Sequence, residues 1–339
     1  MIFQHRLLLT AFLTALLAAS VFPALLAGQY NISSSDVLGL VWGKITGRLP
    51  PGIGQVQEVI VWNIRLPRLI LALTSGLALG VSGAAYQGCF CNPLAEPYIL
   101  GVSSGAAAGA ALAIVWPHLF PGLQLTAFIF GLGAVFITYS LARTRSRTSP
   151  VALILSGIIV GAVFGALTGL MKYAAADSQL REITFWMMGG LYYAGWNDAL
   201  LAVFCVIPAS LLLWRASWQL NVLSLGDEEA RSLGLNPGRC RFLIVALATF
   251  AASVSVSLCG IIAWAGLMMP HAARLLYGPD HRWVLPGAAV LGAVFLLLCD
   301  TLARSLTAAE IPLGIITSLI GAPYLLWILR TKGRFILEQ

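Results

Sequence analysis

From Leu7 to Ser35 no side chain carries a charge, and the same is true over 69–95, 97–142, 148–171, 199–214, 242–273, 283–299 and 311–329. About 20 apolar residues cross a bilayer core as helix, and backbone placed in hydrocarbon must satisfy its own hydrogen bonds. Stretches of this kind confine the chain to an all-α, polytopic integral membrane protein. The 46 residues of 97–142 are interrupted by "WPHLFPG", and 242–273 holds Gly260, Gly266 and Pro270 as break points. Each of these runs is therefore expected to hold two spans, which brings the total to ten. A single transmembrane domain over 1–339 follows. The first segment reads as a retained helix rather than a cleaved leader, because no small-x-small cleavage pattern follows Pro23.

Orientation comes from the basic residues, since cytoplasmic loops accumulate Lys and Arg. With the N-terminus inside, ten spans also bring the C-terminus inside. Arg6, Arg143, Arg145, Arg147, Arg215, Arg231, Arg239, Arg241, Arg274, Arg282, Arg330, Lys332 and Arg334 then lie in the cytoplasm, thirteen of the twenty Lys and Arg. Lys44, Arg48, Arg65, Arg68, Lys172, Arg181 and Arg304 lie on the other side. The net charge of +7 is thereby accounted for by topology, and a nucleic-acid partner is not expected.

Small residues recur at helical spacing. Gly157, Gly161, Gly165 and Gly169 fall on one face, as do Gly101, Gly105 and Gly109, and Gly76 with Gly80. Such rows let helix backbones approach closely in lipid; the 157–169 row also suits the wall of a substrate path. "NPLAEP" (92–97) pairs Asn with two prolines and predicts a sharp break. The segment 173–197, with its Trp and Tyr, predicts an amphipathic helix at the outer interface. The six cysteines sit in or beside apolar runs as small packing residues, and no zinc-type spacing is present.

Against this background "LSLGDEEARSLGLNPGR" (223–239) is conspicuously wet. Ser224 is expected to cap a short helix over about 225–233, with Asp227, Glu228 and Glu229 in its first turn, an Asp227–Arg231 pair, and Gly234 as the stop. At about 1.5 Å per residue such a helix is near 14 Å long and cannot span.

"LGDEEARSLGLN" is similar to the cytoplasmic segment of the FecCD family, the permease subunits of ATP-binding-cassette importers for iron-siderophore complexes, haem and cobalamin. The resemblance extends from residue 60 over nearly all the rest. It is carried by "RLPR…QGCFCNPLAEPYILGVSSGAA" (65–107), "MPHAARLLYGPDHRWVLP" (269–286) and "CDTLARSLTAAEIPLGIITSLIGAPYLLWILR" (299–330). One departure is "GIIAWAGLMMPH" (260–271), which lacks the proline the family commonly has after the first glycine.

The resemblance implies a coupling segment at about 216–238 that docks on an ATPase subunit through Asp227, Glu228, Glu229, Ala230, Arg231, Leu233 and Gly234. It implies docking of an external substrate-binding protein by Arg65, Arg68 and Arg304. A cytoplasmic gate is implied at Asn92, Pro93, Leu94, Thr148 and Ser149, with Gly157, Gly161, Gly165 and Gly169 lining the path. It further implies a prokaryotic inner membrane, a dimer of two permease copies and two ATP-binding subunits. No cofactor is expected on this chain, with ATP and Mg on the partner ATPase. The sequence holds no G-x-x-x-x-G-K-[ST] loop; Gly43–Lys44 is followed by Ile45 and lacks the spacing. The cargo implied is a bulky metal chelate, ferric siderophore first, then cobalamin or haem.

Two other classes compete with this reading. "GVSSG" (101–105) matches the nucleophile elbow of serine hydrolases, but it lies among alanines with no identifiable His and acid partners for Ser103. An ion-coupled transporter keeps ionisable groups at mid-membrane, where this chain offers only Asp300 near a span end.

Overall fold

The computed structural model describes residues 2–46, 54–142, 150–307 and 309–337. Among them all regular structure is helical. The order is α1 (Ile2–Leu26), α2 (Ser34–Thr46), α3 (Gln55–Val59), α4 (Leu66–Phe90), α5 (Val102–Val115), α6 (Leu123–Ala142), α7 (Pro150–Ala174) and α8 (Asp177–Met188). There follow α9 (Trp196–Arg215), α10 (Ser217–Leu223), α11 (Asp227–Ser232), α12 (Pro237–Cys259), α13 (Ala265–Tyr277), α14 (His281–Ser305) and α15 (Leu313–Leu337). A π-helical turn at Ile60–Arg65 joins α3 to α4 without a break, and a 3₁₀ turn at Pro97–Leu100 precedes α5.

Seven helical stretches among the described residues are long and apolar enough to cross a membrane: α1, the continuous α3–α4, α6, α7, α9, α12 and α14. The three remaining expected spans are α5, α13 and α15. With 14 and 13 residues, α5 and α13 reach only about 20 Å against a hydrocarbon core of about 30 Å. Irregular backbone at such depth needs protein around it. In α5 every residue except Ser104 and Val115 is buried, which supplies that cover.

The break between α5 and α6 falls on "WPHLFPG", as predicted. The break between α12 and α13 runs from Gly260, with φ 69°, to Trp264, with φ 72°. Gly266 and Pro270, offered as alternative break points, lie inside α13. A left-handed conformation is rare for a residue as bulky as Trp264. Here its ring is packed against Gly321 of α15.

At the centre stands α4, buried along nearly its whole length between α14, α12, α13 and α9. Its small residues are the reason neighbours come so near. A Cβ added to Gly76 would overlap the Gly292 carbonyl, one on Gly80 the Ala288 carbonyl, and one on Gly83 the Gly266 carbonyl. On α5, a Cβ at Gly105 would lie 2.5 Å from the Phe130 carbonyl oxygen of α6. Close backbone approach substitutes dispersion contact for the hydrophobic effect, which lipid weakens.

The bundle has two distinct ends. At one, Arg6 at the start of α1 pairs with Asp280 at 4.0 Å, and Asp280 accepts from Asn221 Nδ2 of α10 at 2.7 Å. This charged end gathers α10, α11 and the turns 91–96 and 278–280. At the far end, Gln29 beyond α1 donates to the Arg304 and Thr307 carbonyls at 3.2 and 2.7 Å.

Candidate functional site

Residues 216–238 hold two short helices, α10 and, within the wet segment, α11. Gly226, at φ 120°, precedes α11, so the helix begins two residues later than the proposed Ser224 cap. Ser224 Oγ instead donates to the Leu220 carbonyl at 2.8 Å, finishing α10. At the other end Gly234, at φ 82°, closes α11: Leu235 N–H bonds the Ala230 carbonyl at 2.9 Å and Gly234 N–H the Arg231 carbonyl at 3.0 Å. This pair of bonds is the Schellman pattern, which favours glycine because the left-handed residue has no Cβ to clash. Asn236 then caps α12 by accepting from Arg239 N–H at 3.1 Å.

The expected Asp227–Arg231 pair is present at 3.6 Å. The stronger partner of Asp227 is Arg241 of α12, whose guanidinium is 2% exposed and lies 2.8 Å from Asp227 Oδ1. Arg241 Nε also donates to the Cys89 carbonyl at the end of α4, at 3.2 Å. One buried cation thus ties α11, α12 and α4 together. Ala230 is buried under α11, while Glu228, Glu229, Leu225 and Leu233 are exposed. Two acids flanked by two leucines therefore form the outward face.

Beside this lies the 91–96 turn. Cys91 ends α4 in the left-handed region, at φ 48°. Asn92 Oδ1 accepts from Leu94 N–H at 2.9 Å, and the Pro93 carbonyl accepts from His271 Nε2 of α13 at 2.8 Å. Asn92 and Pro93 line a cavity of about 450 Å³, and Leu94 is exposed. Burial pushes the Glu96 carboxyl at the end of the turn up to about 7. Thr148 and Ser149, the other two expected gate residues, lie outside the described residues.

The far end gathers the three arginines expected to dock a binding protein. Arg65, Arg68 and Arg304 are brought together but only 5%, 6% and 6% exposed. Arg65 donates to the Leu25 and Leu26 carbonyls at 2.7 and 3.0 Å, and Arg304 to those of Ala24 and Ala27. Both guanidiniums therefore satisfy orphan carbonyls at the negative end of α1. Arg68 binds Asp300, itself 1% exposed, at 2.8 Å and Glu310 at 2.9 Å. The reason is physical: at low dielectric the three cations are held by carboxylates and carbonyls of the same chain. Next to them a cavity of about 770 Å³ is lined by Arg181, Glu182, Trp186, Tyr192, Asp198 and Glu310.

The glycine row of α7 divides in two. Gly157 packs against the Ile99 carbonyl and Leu100, and Gly161 has Ser104 Oγ 3.4 Å from where a Cβ would be. Gly165 and Gly169 face open space. Close packing explains the first pair; the second leaves a smooth, unobstructed wall.

A sequence model of the FecCD transport family matches residues 16–331. The chain belongs to the FecCD transport family. Within it, the chain is 42% identical to the cobalamin import system permease protein BtuC of Halobacterium salinarum, over 87% of this chain and 80% of that one. It is 44% identical to the hemin transport system permease protein HmuU of Yersinia pestis, over 79% and 83%. To the molybdate import system permease protein MolB of Haemophilus influenzae it is 37% identical, over 92% of each. A solved inward-facing conformation of a metal-chelate type ABC transporter superposes with a TM-score of 0.84 at 35% identity, covering 96% of this chain and 99% of that one.

This FecCD chain is accordingly a multi-pass membrane permease of the ATP-binding-cassette importer class. Several of its polar contacts escaped sequence reasoning. Arg241 and Asn221 carry no motif signal, and Arg274 and His281 lie in a family block (269–286) that assigns them no role. The usable clue was that each arginine borders a long apolar run, where a charge needs a partner.

Proposed function

We propose that this permease moves a bulky metal chelate into the cytoplasm, with ferric siderophore the first cargo to test. Energy comes from ATP hydrolysed on two partner subunits that dock at α10–α11, and cargo arrives from an external binding protein at the far end. Two permease copies face each other across the path, both termini lie in the cytoplasm, and the membrane is the inner membrane of a prokaryote. The names of the cobalamin, hemin and metal-chelate relatives support the cargo class; the molybdate relative makes a cargo panel necessary.

The observation that carries the reading is α11. It is a six-residue helix, pinned from beneath by Arg241, with Glu228, Glu229, Leu225 and Leu233 outward. A charged, rigidly mounted knob on an apolar bundle is suited to receiving force from a soluble partner. Exchanging Glu228 and Glu229 for Lys tests this in membranes containing the ATPase and binding protein. The expected result is loss of ATPase retention and of cargo-stimulated hydrolysis with permease abundance unchanged; full retention and transport refute the docking assignment. Cargo is tested separately by uptake of labelled ferric siderophore, cobalamin, haem and molybdate into vesicles.

The gate assignment rests on Asn92 and Pro93, which lie between the coupling helices and α13. The smooth half of the α7 row, Gly165 and Gly169, supplies a wall with no polar group to hold a passing chelate. At the far end, the inward-turned arginines shape the α1–α4–α14 corner; contact with a binding protein's carboxylates would require them to exchange internal partners.

A further inference from the structure

Where α9 leaves the bilayer, the chain carries positive charge that its own acids do not answer. With 20 residues, α9 is about 30 Å long, which matches the hydrocarbon core. Its last residue, Arg215, therefore emerges at headgroup level. Phe204, Leu211, Trp214 and Arg215 share one face of the helix by their spacing, and all four are exposed.

Trp214 fastens this end of α9 to the start of α14. Its indole N–H donates to the Arg282 carbonyl at 3.2 Å, yet the residue stays 50% exposed. A tryptophan with its N–H engaged and much of its ring bare suits a membrane interface. The bond also makes two exposed arginines from different helices neighbours of one indole, because Arg215 follows Trp214 and Arg282 carries the accepting carbonyl.

Neither guanidinium has a carboxylate oxygen within 4.0 Å among the described residues. Asp280, the acid nearest to Arg282 in sequence, is engaged by Arg6, Asn221 Nδ2 and the Arg282 backbone amide. Other arginines near span ends are matched within the chain: Arg68 by Asp300 and Glu310, and Arg241 by Asp227. At the foot of α9 the matching charge is left to the surroundings. A small ion in water would meet the arginines alone. A lipid meets the arginines with its phosphate and the apolar stripe below them with its acyl chain. The guanidinium fork suits phosphate because it donates two parallel hydrogen bonds. A net anionic headgroup is favoured over a zwitterionic one, which brings a cation of its own to two others.

We propose that the corner formed by Trp214, Arg215 and Arg282 is a binding site for an anionic phospholipid. The two arginines hold the phosphate, the indole lies at glycerol level, and an acyl chain runs along Leu211 and Phe204. The lipid thus sits at the joint between α9 and α10, which begins at Ser217.

The test is thermal unfolding of the full-length permease, delipidated in an uncharged detergent, with dioctanoyl phosphatidylglycerol as the probe. A ligand of the native state raises the melting temperature with the logarithm of its concentration. Dioctanoyl phosphatidylcholine presents the same chains and phosphate with a cation attached, and glycerophosphoglycerol presents the probe's headgroup with no chains. The expected result is a rise with phosphatidylglycerol that exceeds any with phosphatidylcholine and is absent with glycerophosphoglycerol. Arg215→Gln and Arg282→Gln each weaken binding about fivefold, and the double variant about thirtyfold. Each variant is read against its own lipid-free melting temperature, so a change in basal stability does not enter. Arg239→Gln removes an exposed arginine at the start of α12, away from the corner, and leaves the rise unchanged. The assignment is overturned by no rise with phosphatidylglycerol, by an equal rise with phosphatidylcholine, or by an undiminished rise in the double variant. An equal rise with glycerophosphoglycerol overturns it in favour of a site for a free phosphate ester. Equal weakening by Arg239→Gln overturns it in favour of diffuse attraction to the whole basic end.

Discussion

Asp227→Ala separates a buried electrostatic tether from a surface one. Removing one partner of a fully buried ion pair costs about 3–5 kcal/mol, because the other charge stays in low dielectric. Arg241 is 2% exposed but Asp227 keeps 32% of its side-chain surface. Water already screens part of this pair and can reach part of the vacated space, so the expected cost is about 2 kcal/mol. That penalty falls on the docking of α11 rather than on the bundle, and corresponds to local opening about thirty times more frequent. Arg231→Ala removes only the exposed contact at 3.6 Å, worth about 0.3–0.5 kcal/mol for an i,i+4 pair, or roughly a factor of two.

Hydrogen–deuterium exchange of the amides in 224–236, in detergent or nanodiscs, reads both. Asp227→Ala should accelerate exchange across the segment while leaving α4 and α14 protected, and Arg231→Ala should barely alter it. Asp227→Ala with Arg241→Met removes the stranded charge and should restore much of the protection. Equal acceleration in the two single variants, or none in either, refutes the tether.

Gly157→Ala drives a methyl group into the Ile99 carbonyl and Leu100 and should destabilise by about 1–3 kcal/mol, whereas Gly165→Ala meets nothing and should unfold like wild type; thermal unfolding compares them. Arg68→Met leaves Asp300, 1% exposed, with only Arg304, so a loss of about 3–5 kcal/mol is expected in the same assay. The Glu96 carboxyl is raised by burial to about 7, so the folded state holds a proton that the unfolded chain releases near its ordinary 4.5. Its contribution is present below that lower value and fades as pH rises through about 7. Glu96→Gln should flatten that part of the pH dependence of stability between pH 5 and 8; an unchanged slope counts against a buried acid there.

Much of this was legible in the residues. Charge-free runs placed the helices because hydrocarbon rejects charge, "WPHLFPG" marked a break because two prolines end helices, and Gly234 marked the end of α11 because only a left-handed residue closes it that way. The direction in which a long side chain points was not legible. Arg65, Arg68 and Arg304 were correctly set at one end of the bundle, but their inward turn depends on α1 ending where its carbonyls need donors and on Asp300 lying within reach. Those are tertiary facts with no local trace. The α7 row looked uniform for the same reason: spacing puts four glycines on one face, and only the 3₁₀ turn before α5 decides that Gly157 is packed and Gly165 open.

The clasp on α1 has a consequence for how the chain is made. Synthesis delivers α1 before α4 and α14, yet little of it is buried inside the bundle. The groups that hold its two ends come from Arg65, early in the chain, and from Asp280 and Arg304, far later. Until α14 emerges, α1 is held only by the Arg65 clasp on its last carbonyls and otherwise lies in the lipid, where its interior backbone bonds are satisfied within the helix. A helix made before α4 and α14 is thus fully seated only after both, and Arg304 works as a latch that reaches back to it from far along the chain.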